Sequence, residues 1–150
     1  MIVFRPPTPA DVKAIAANMR AYDKLECAVA GLTPQQALEE GVAGSDWAVT
    51  AEVDEVPVCM FGVRASDDLL SDQGHPWMLC VDGIEAHVRH LVRYTRGYLE
   101  AMGEEFQTLS NLVHADNVNA IRFIRWCGFQ LGAPVTVKGE AFLPFEKRAA

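Results

Sequence analysis

The hydrophobic and polar positions divide this chain into segments of recognisable period. Ile2–Arg5 reads as a short strand. Thr8-Pro9-Ala10-Asp11 follows with the composition of a helix start: a hydroxyl to cap, a proline suited to the first turn, and an acid at the positive end. Val12, Ile15, Met19 and Tyr22 then recur at helical spacing. Thr33-Pro34-Gln35-Gln36 repeats the same logic, with Gln36 in the capping-box position, and opens a second helix that Gly41 and Gly44 close. Residues 47–53 alternate, Asp54-Glu55 makes a turn, and 56–64 return as the partner strand of a hairpin. Residues 66–74 are a polar, acidic loop, and 76–81 a mostly apolar run suited to a central strand.

Residues 85–102 form the longest predicted helix. Val88, Leu91, Val92, Thr95, Leu99 and Met102 share one face; Arg89, Arg93, Arg96 and Glu100 share another, with Arg96 and Glu100 spaced to pair. That arginine stripe is a solvated face or a means of steering an anion. A strand at 108–115, a helix at 118–127 stopped by Gly128, and a hairpin of 129–138 with 141–147 around Lys138-Gly139 complete the chain. The order β α α β β β α β α β β predicts an α/β fold: one domain over residues 1–150, with a mixed, mostly antiparallel twisted sheet of about seven strands and about four helices.

Charge and composition narrow the functions. The 150 residues carry a formal net charge of −7, which argues against a nucleic-acid partner. Residues 1–75 hold 5 basic and 12 acidic side chains, whereas 76–150 hold 8 of each. Cys27, Cys59, Cys80 and Cys127 sit in apolar surroundings without metal-ligand spacing and read as buried, reduced thiols. His75, His87, His90 and His114 are not clustered with them, so no metal site is expected. No apolar run is long enough to span a membrane, and Ile2-Val3-Phe4 is too short for a secretory core. The expected setting is a reducing cytoplasm.

The stretch Val113-His-Ala-Asp-Asn-Val-Asn-Ala-Ile-Arg-Phe-Ile-Arg-Trp-Cys-Gly-Phe129 reads as a strand end, an Asn-capped helix and a Gly-Phe exit. It resembles the last conserved block of the GCN5-related N-acetyltransferase (GNAT) superfamily. Phe4-Arg5-Pro6 with Thr8 and Asp11, and the long helix closing at Gly103, are similar to that family's other landmarks. The resemblance implies a GNAT fold across the chain, with acetyl-CoA as the cofactor to consider. It also implies a phosphate-binding loop at 82–89 and Asn117 opening a helix beside the acyl-CoA arm. Residues placed on the cofactor by this resemblance are Val81, Gly83, Ala86, Val88, Arg89 and Asn117.

The same alignment exposes departures. The tyrosine that often protonates the leaving thiolate is replaced by Ile124, which has no proton to give. The loop's Arg or Gln is replaced by Gly83, and its two glycines fall at Ala86 and Val88. Asp82 and Glu85 add negative charge where phosphates would sit, offset only by Arg89 and His90. Asp82 and His114, at two strand ends, are the remaining candidates for a general base. The plainer reading makes Asp82 a helix cap and leaves His114 at the surface.

Within this fold the chain also resembles small GNAT-like proteins of short-tailed phages. The shared features are Arg5-Pro6, Ala30-Gly31, Ser71-Asp72-Gln73 and Ile121-Arg122-Phe123. That resemblance implies a phage or prophage protein of the host cytoplasm or the virion, assisting assembly by binding a virion or host protein. An active N-acetyltransferase with a substitute base is the alternative. Exposure of Phe142, Leu143 and Phe145 would favour a homodimer.

Overall fold

The computed structural model describes residues 1–149. They form strands β1 (Ile2–Arg5), β2 (Trp47–Val53), β3 (Val56–Ala65), β4 (Gln73–Cys80), β5 (Thr108–His114), β6 (Gln130–Leu131), β7 (Val135–Val137) and β8 (Glu140–Arg148). The helices are α1 (Pro9–Ala17), α2 (Ala21–Val29), α3 (Pro34–Gly44), α4 (Val88–Glu105) and α5 (Val118–Trp126). The strand order is β1-β2-β3-β4-β5-β8-β6, with β7 on β8; β4 and β5 are parallel, whereas β1–β2, β2–β3, β5–β8, β6–β8 and β7–β8 are antiparallel. This is the open, mixed, mostly antiparallel sheet expected of the sequence. Contacts divide the described residues into two units, Met1–Ala65 with Trp77–Arg93, and Ser66–Pro76 with residues 94–149.

In the first unit the helix starts follow their sequence signals. Thr8 and Thr33 cap α1 and α3, each in a full capping box with Asp11 or Gln36. Arg5 is held by Asp11 at 2.6 and 2.8 Å and by Glu52 at 3.0 and 3.1 Å, which ties β1 to α1 and β2. The Arg5 guanidinium depresses the Asp11 carboxyl to about 2. Val12, Ile15, Met19, Cys27, Leu38 and Met60 form the buried core, with Trp77, Leu79 and Val81 packed against it.

One expected helix is two. The pattern at Val12, Ile15, Met19 and Tyr22 predicts a continuous helix, but α1 ends at Ala17 and α2 begins at Ala21. Between them Met19 forms an isolated antiparallel bridge with Val81, and Arg20 is extended. Backbone pairing with a distant strand overrides the local period.

The second unit contains the start of β4, most of α4, and β5 to β8. Its buried side chains include Met102, Phe106, Leu109, Val113, Cys127, Phe129, Phe142 and Phe145. Phe142 and Phe145 therefore belong to the core, and the argument for a dimer from their exposure falls away. Gly74 lies against Phe106, where an added Cβ would stand 2.5 Å from the ring. The single strand expected at 129–138 is split into β6 and β7 around Gly132 and Pro134: proline has no N–H for the ladder, and Gly132 abuts Pro144. The Arg96 guanidinium lies over Trp126, 5.6 Å from the ring centroid, and among the described residues it forms no ion pair with Glu100.

Candidate functional site

The end of β4 carries most of the predicted cofactor contacts. Val81 N–H donates to Val58 O at 3.0 Å, and Ser66 N–H donates to Gln73 O at 3.1 Å. Those two bonds fix the antiparallel register of β3 and β4 and set Cys59 opposite Cys80, with the thiols 3.4 Å apart. Successive backbone groups of a strand point to opposite edges. Cys80 and Asp82 therefore present theirs at the edge away from β3.

That edge is occupied by the chain itself. Arg20 N–H donates to Cys80 O at 3.0 Å, and Asp82 N–H donates to Asn18 O at 2.7 Å. The Cys80 N–H donates to Asp23 Oδ2 at 2.8 Å. The α1–α2 connection thus behaves as a short added strand, and the Asp23 carboxylate takes the remaining amide. Asp23 is 2% exposed. Burial pushes its carboxyl above the ordinary carboxylate range, against the pull of Arg20. Arg20 Nε lies 2.8 Å from the same oxygen, an ion pair by distance, yet this buried N–H has no acceptor in line.

The loop that follows departs from the expected phosphate cradle. Gly83 has φ +82°, a left-handed conformation that favours glycine, and it is the residue that caps the following 3-10 turn, Ile84–His87. Gly83 rather than Asp82 holds the cap position, which corrects the plainer reading of Asp82 as the helix cap. Ala86 N–H donates to Gly83 O at 3.1 Å, so one amide of the loop is already used. Val88 begins α4 with its side chain 38% exposed, and Asp82, Glu85, Ala86 and Arg89 are exposed around it. Val81 turns its side chain to the core and its N–H to β3. Residues 80–89 thus combine a strand edge already paired by Asn18 and Arg20, two exposed acidic residues, and a β-branched residue where the resemblance implies a glycine.

In the second unit, His114 and Asn117 come together in the turn after β5. His114 is 3% exposed, correcting its expected place at the surface. Asp116 N–H donates to Nδ1 at 3.1 Å, so the hydrogen-bond network assigns the neutral ring's proton to Nε2, which donates to Glu140 Oε2 at 2.8 Å. The ring also packs edge-on against Phe142, with centroids 5.4 Å apart. Both nitrogens are engaged, which leaves no lone pair for a substrate proton. Asn117 is likewise buried; its side chain accepts from Ala120 N–H at 3.3 Å, and its own N–H donates to His114 O. Asn117 opens α5 as the sequence implies, and its visible work is that of a cap.

Burial raises the Cys27 and Cys127 thiols to about 11. The Cys80 hydrogen bond and burial raise that of Cys59. None has the depressed value of a nucleophile. A groove of about 530 Å³ on the second unit is lined by His75, Ser110, Leu112, Pro144 and Glu146, among others, and by none of the predicted site residues. Among the described residues no three His, Cys, Asp or Glu side chains are placed to hold a metal ion, and no helix is long and apolar enough to cross a membrane. The residues that sequence reasoning missed are Arg20 and Asp23. The available signal was an acid at Asp23 between Met19 and Cys27, four residues from each, on the apolar side of a helical pattern.

No family model matches the sequence, and no curated protein matches it. Solved structures do. The chain is similar to the ribosomal-protein-S18-alanine N-acetyltransferase of Escherichia coli, with 15% identity, TM-score 0.69, and 100% and 95% of the two chains covered. An acetyltransferase of the GNAT family from Streptococcus pneumoniae aligns over 100% of both chains at 12% identity and TM-score 0.66. The aminoglycoside acetyltransferase AAC(6')-Ib, solved in complex with coenzyme A, aligns over 99% of this chain and 95% of its own at 15% identity and TM-score 0.68. At such identities the likeness is one of fold: the chain has a GNAT-like fold.

Proposed function

We propose that this chain is a GNAT-fold binding protein that does not turn over acyl-CoA by the usual route, and that it serves phage or prophage assembly. The observation that carries the first part is the filled edge of β4. The bonds from Arg20 and Asp82, with the Asp23 carboxylate on the Cys80 amide, use the backbone groups beside which an acyl-CoA arm would lie. Ile124 and the engaged ring of His114 support it, because neither can move a proton at the reacting centre. The assembly role rests on the short sequence resemblances to phage proteins.

Calorimetric titration with acetyl-CoA tests the first part. The expected result is no heat up to about 1 mM ligand. Val88→Gly, which restores one family glycine, should leave that result unchanged, because the strand edge remains filled. Dissociation constants near 10 µM, roughly −7 kcal/mol, would overturn the proposal. The assembly role predicts that the chain travels with virions or their assembly intermediates; absence from both removes that part.

A second reading, an active N-acetyltransferase, draws on one observation. Asp82 is exposed at the end of β4, next to the glycine turn that opens α4. It requires turnover that Asp82→Asn abolishes.

A further inference from the structure

The loop between β3 and β4 holds the two most exposed leucines of the molecule. Leu69 and Leu70 are 97% and 94% exposed. They stand among Asp67, Asp68 and Asp72, all exposed. The loop is ordered by its own polar groups: Asp68 Oδ1 accepts from Leu70 N–H at 3.0 Å, Asp68 O accepts from Ser71 N–H at 3.0 Å, and Ser71 Oγ accepts from Gln73 N–H at 3.1 Å. Asp72 O accepts from Gln107 N–H at 3.0 Å, which anchors the loop's end to the start of β5. These bonds hold the two leucines out in solvent without any packing of their own.

The second unit also carries a surface of the opposite character. Arg122 and Arg125 project from α5, Arg96 lies over Trp126, and Phe123 stacks on the same indole at 6.3 Å. Trp126 remains 47% exposed. None of the three arginines has a carboxylate within ion-pair distance among the described residues. Trp and Arg clustered in this way are the residue types that anchor protein interfaces.

We infer that the acidic Leu69-Leu70 loop of one copy docks on the Arg122, Arg125 and Trp126 surface of a second copy. The leucines find apolar cover on the indole and the arginine stems, while the three aspartates meet the three arginines. A reciprocal exchange, each copy giving its loop and receiving the other's, closes into a two-fold dimer. A membrane is the poorer occupant, since the aspartates beside the leucines repel an anionic surface.

Sedimentation velocity of the full chain, at low and high salt, reads this directly. A dimer is expected at concentrations up to about 1 mM in low salt, weakened at least about tenfold near 1 M salt, where screening acts over ~3 Å. Leu69→Ser with Leu70→Ser, or Arg122→Glu with Arg125→Glu, should each leave a monomer with an unchanged circular dichroism spectrum, because all four side chains are exposed. The decisive arm mixes Asp67→Lys/Asp68→Lys with Arg122→Glu/Arg125→Glu chains, whose reversed charges match again; hetero-dimer is expected where neither alone associates. A chain monomeric throughout, a dimer that survives either double substitution, or a mixture that stays monomeric each overturns the inference. Binding of a different protein to the same surface, with no self-association, overturns it as well.

Discussion

The turn after β4 and the turn after β5 end neighbouring strands of one fold and are built in opposite ways. The β5 turn is made mostly of residues close in sequence: Asn117 caps its own helix through Ala120, and His114 receives the Asp116 amide, while Glu140, Ala141 and Phe142 come from the last strand. The β4 turn depends on residues some sixty positions away, because Asn18, Arg20 and Asp23 complete the hydrogen bonding of residues 80 and 82. A turn built locally survives the loss of one contact. A turn built by a buried charge on a distant helix does not.

The largest test of that contrast is Asp23→Ala. It leaves the Cys80 amide without an acceptor and Arg20 without its carboxylate, and should cost about 3–5 kcal/mol in urea unfolding. A loss below about 1 kcal/mol would mean that the backbone bridge at Met19 holds the edge unaided. An intermediate effect is expected at the opening of the chain, where Asp11 joins a local capping box to the more distant Arg5 and Glu52. Its folded-state value lies below the ordinary 3.8, at about 2. The group therefore contributes stability above pH ~4 that is lost as pH falls towards ~2, about 2 kcal/mol in all. Asp23, raised by burial, works in the other direction over the acid range, so the quantity to follow is the stability difference between the parent chain and Asp11→Asn. That difference should shrink across the window, and a pH-independent difference would contradict the assignment. The smallest effect belongs to the β5 turn: Asn117→Ala should cost about 1 kcal/mol, as caps do, while Asn117→Asp restores most of it.

The same contrast explains what the sequence made legible. The strand, Asn cap and glycine stop of 113–129 could be read because each signal lies within a few residues of what it controls. So could the Thr8 cap, the capping box at Thr33, and the hairpin turns at Asp54-Glu55 and Lys138-Gly139. The break in the first helix could not be read, because its cause is the Met19–Val81 bridge. The burial of His114 was also hidden: a histidine at a strand end reads as exposed until Glu140 and Phe142 arrive from the last strand. The split of 129–138 is a different case: its cause, Gly132 and Pro134, lies within the segment itself. At the candidate site, the missing tyrosine and glycines were visible. The filled strand edge was not, because the residues that fill it belong to a helix pattern with no sign of pairing.

The four buried cysteines give this molecule built-in clocks. Cys27, Cys59 and Cys80 lie in the first unit and Cys127 in the second. A thiol reagent in solution reaches each only when its surroundings open. Mass-resolved labelling over time would therefore yield separate opening free energies from one unmodified chain. If Asp23 is the keystone of the β4 turn, its removal should speed the labelling of Cys59 and Cys80 far more than that of Cys127.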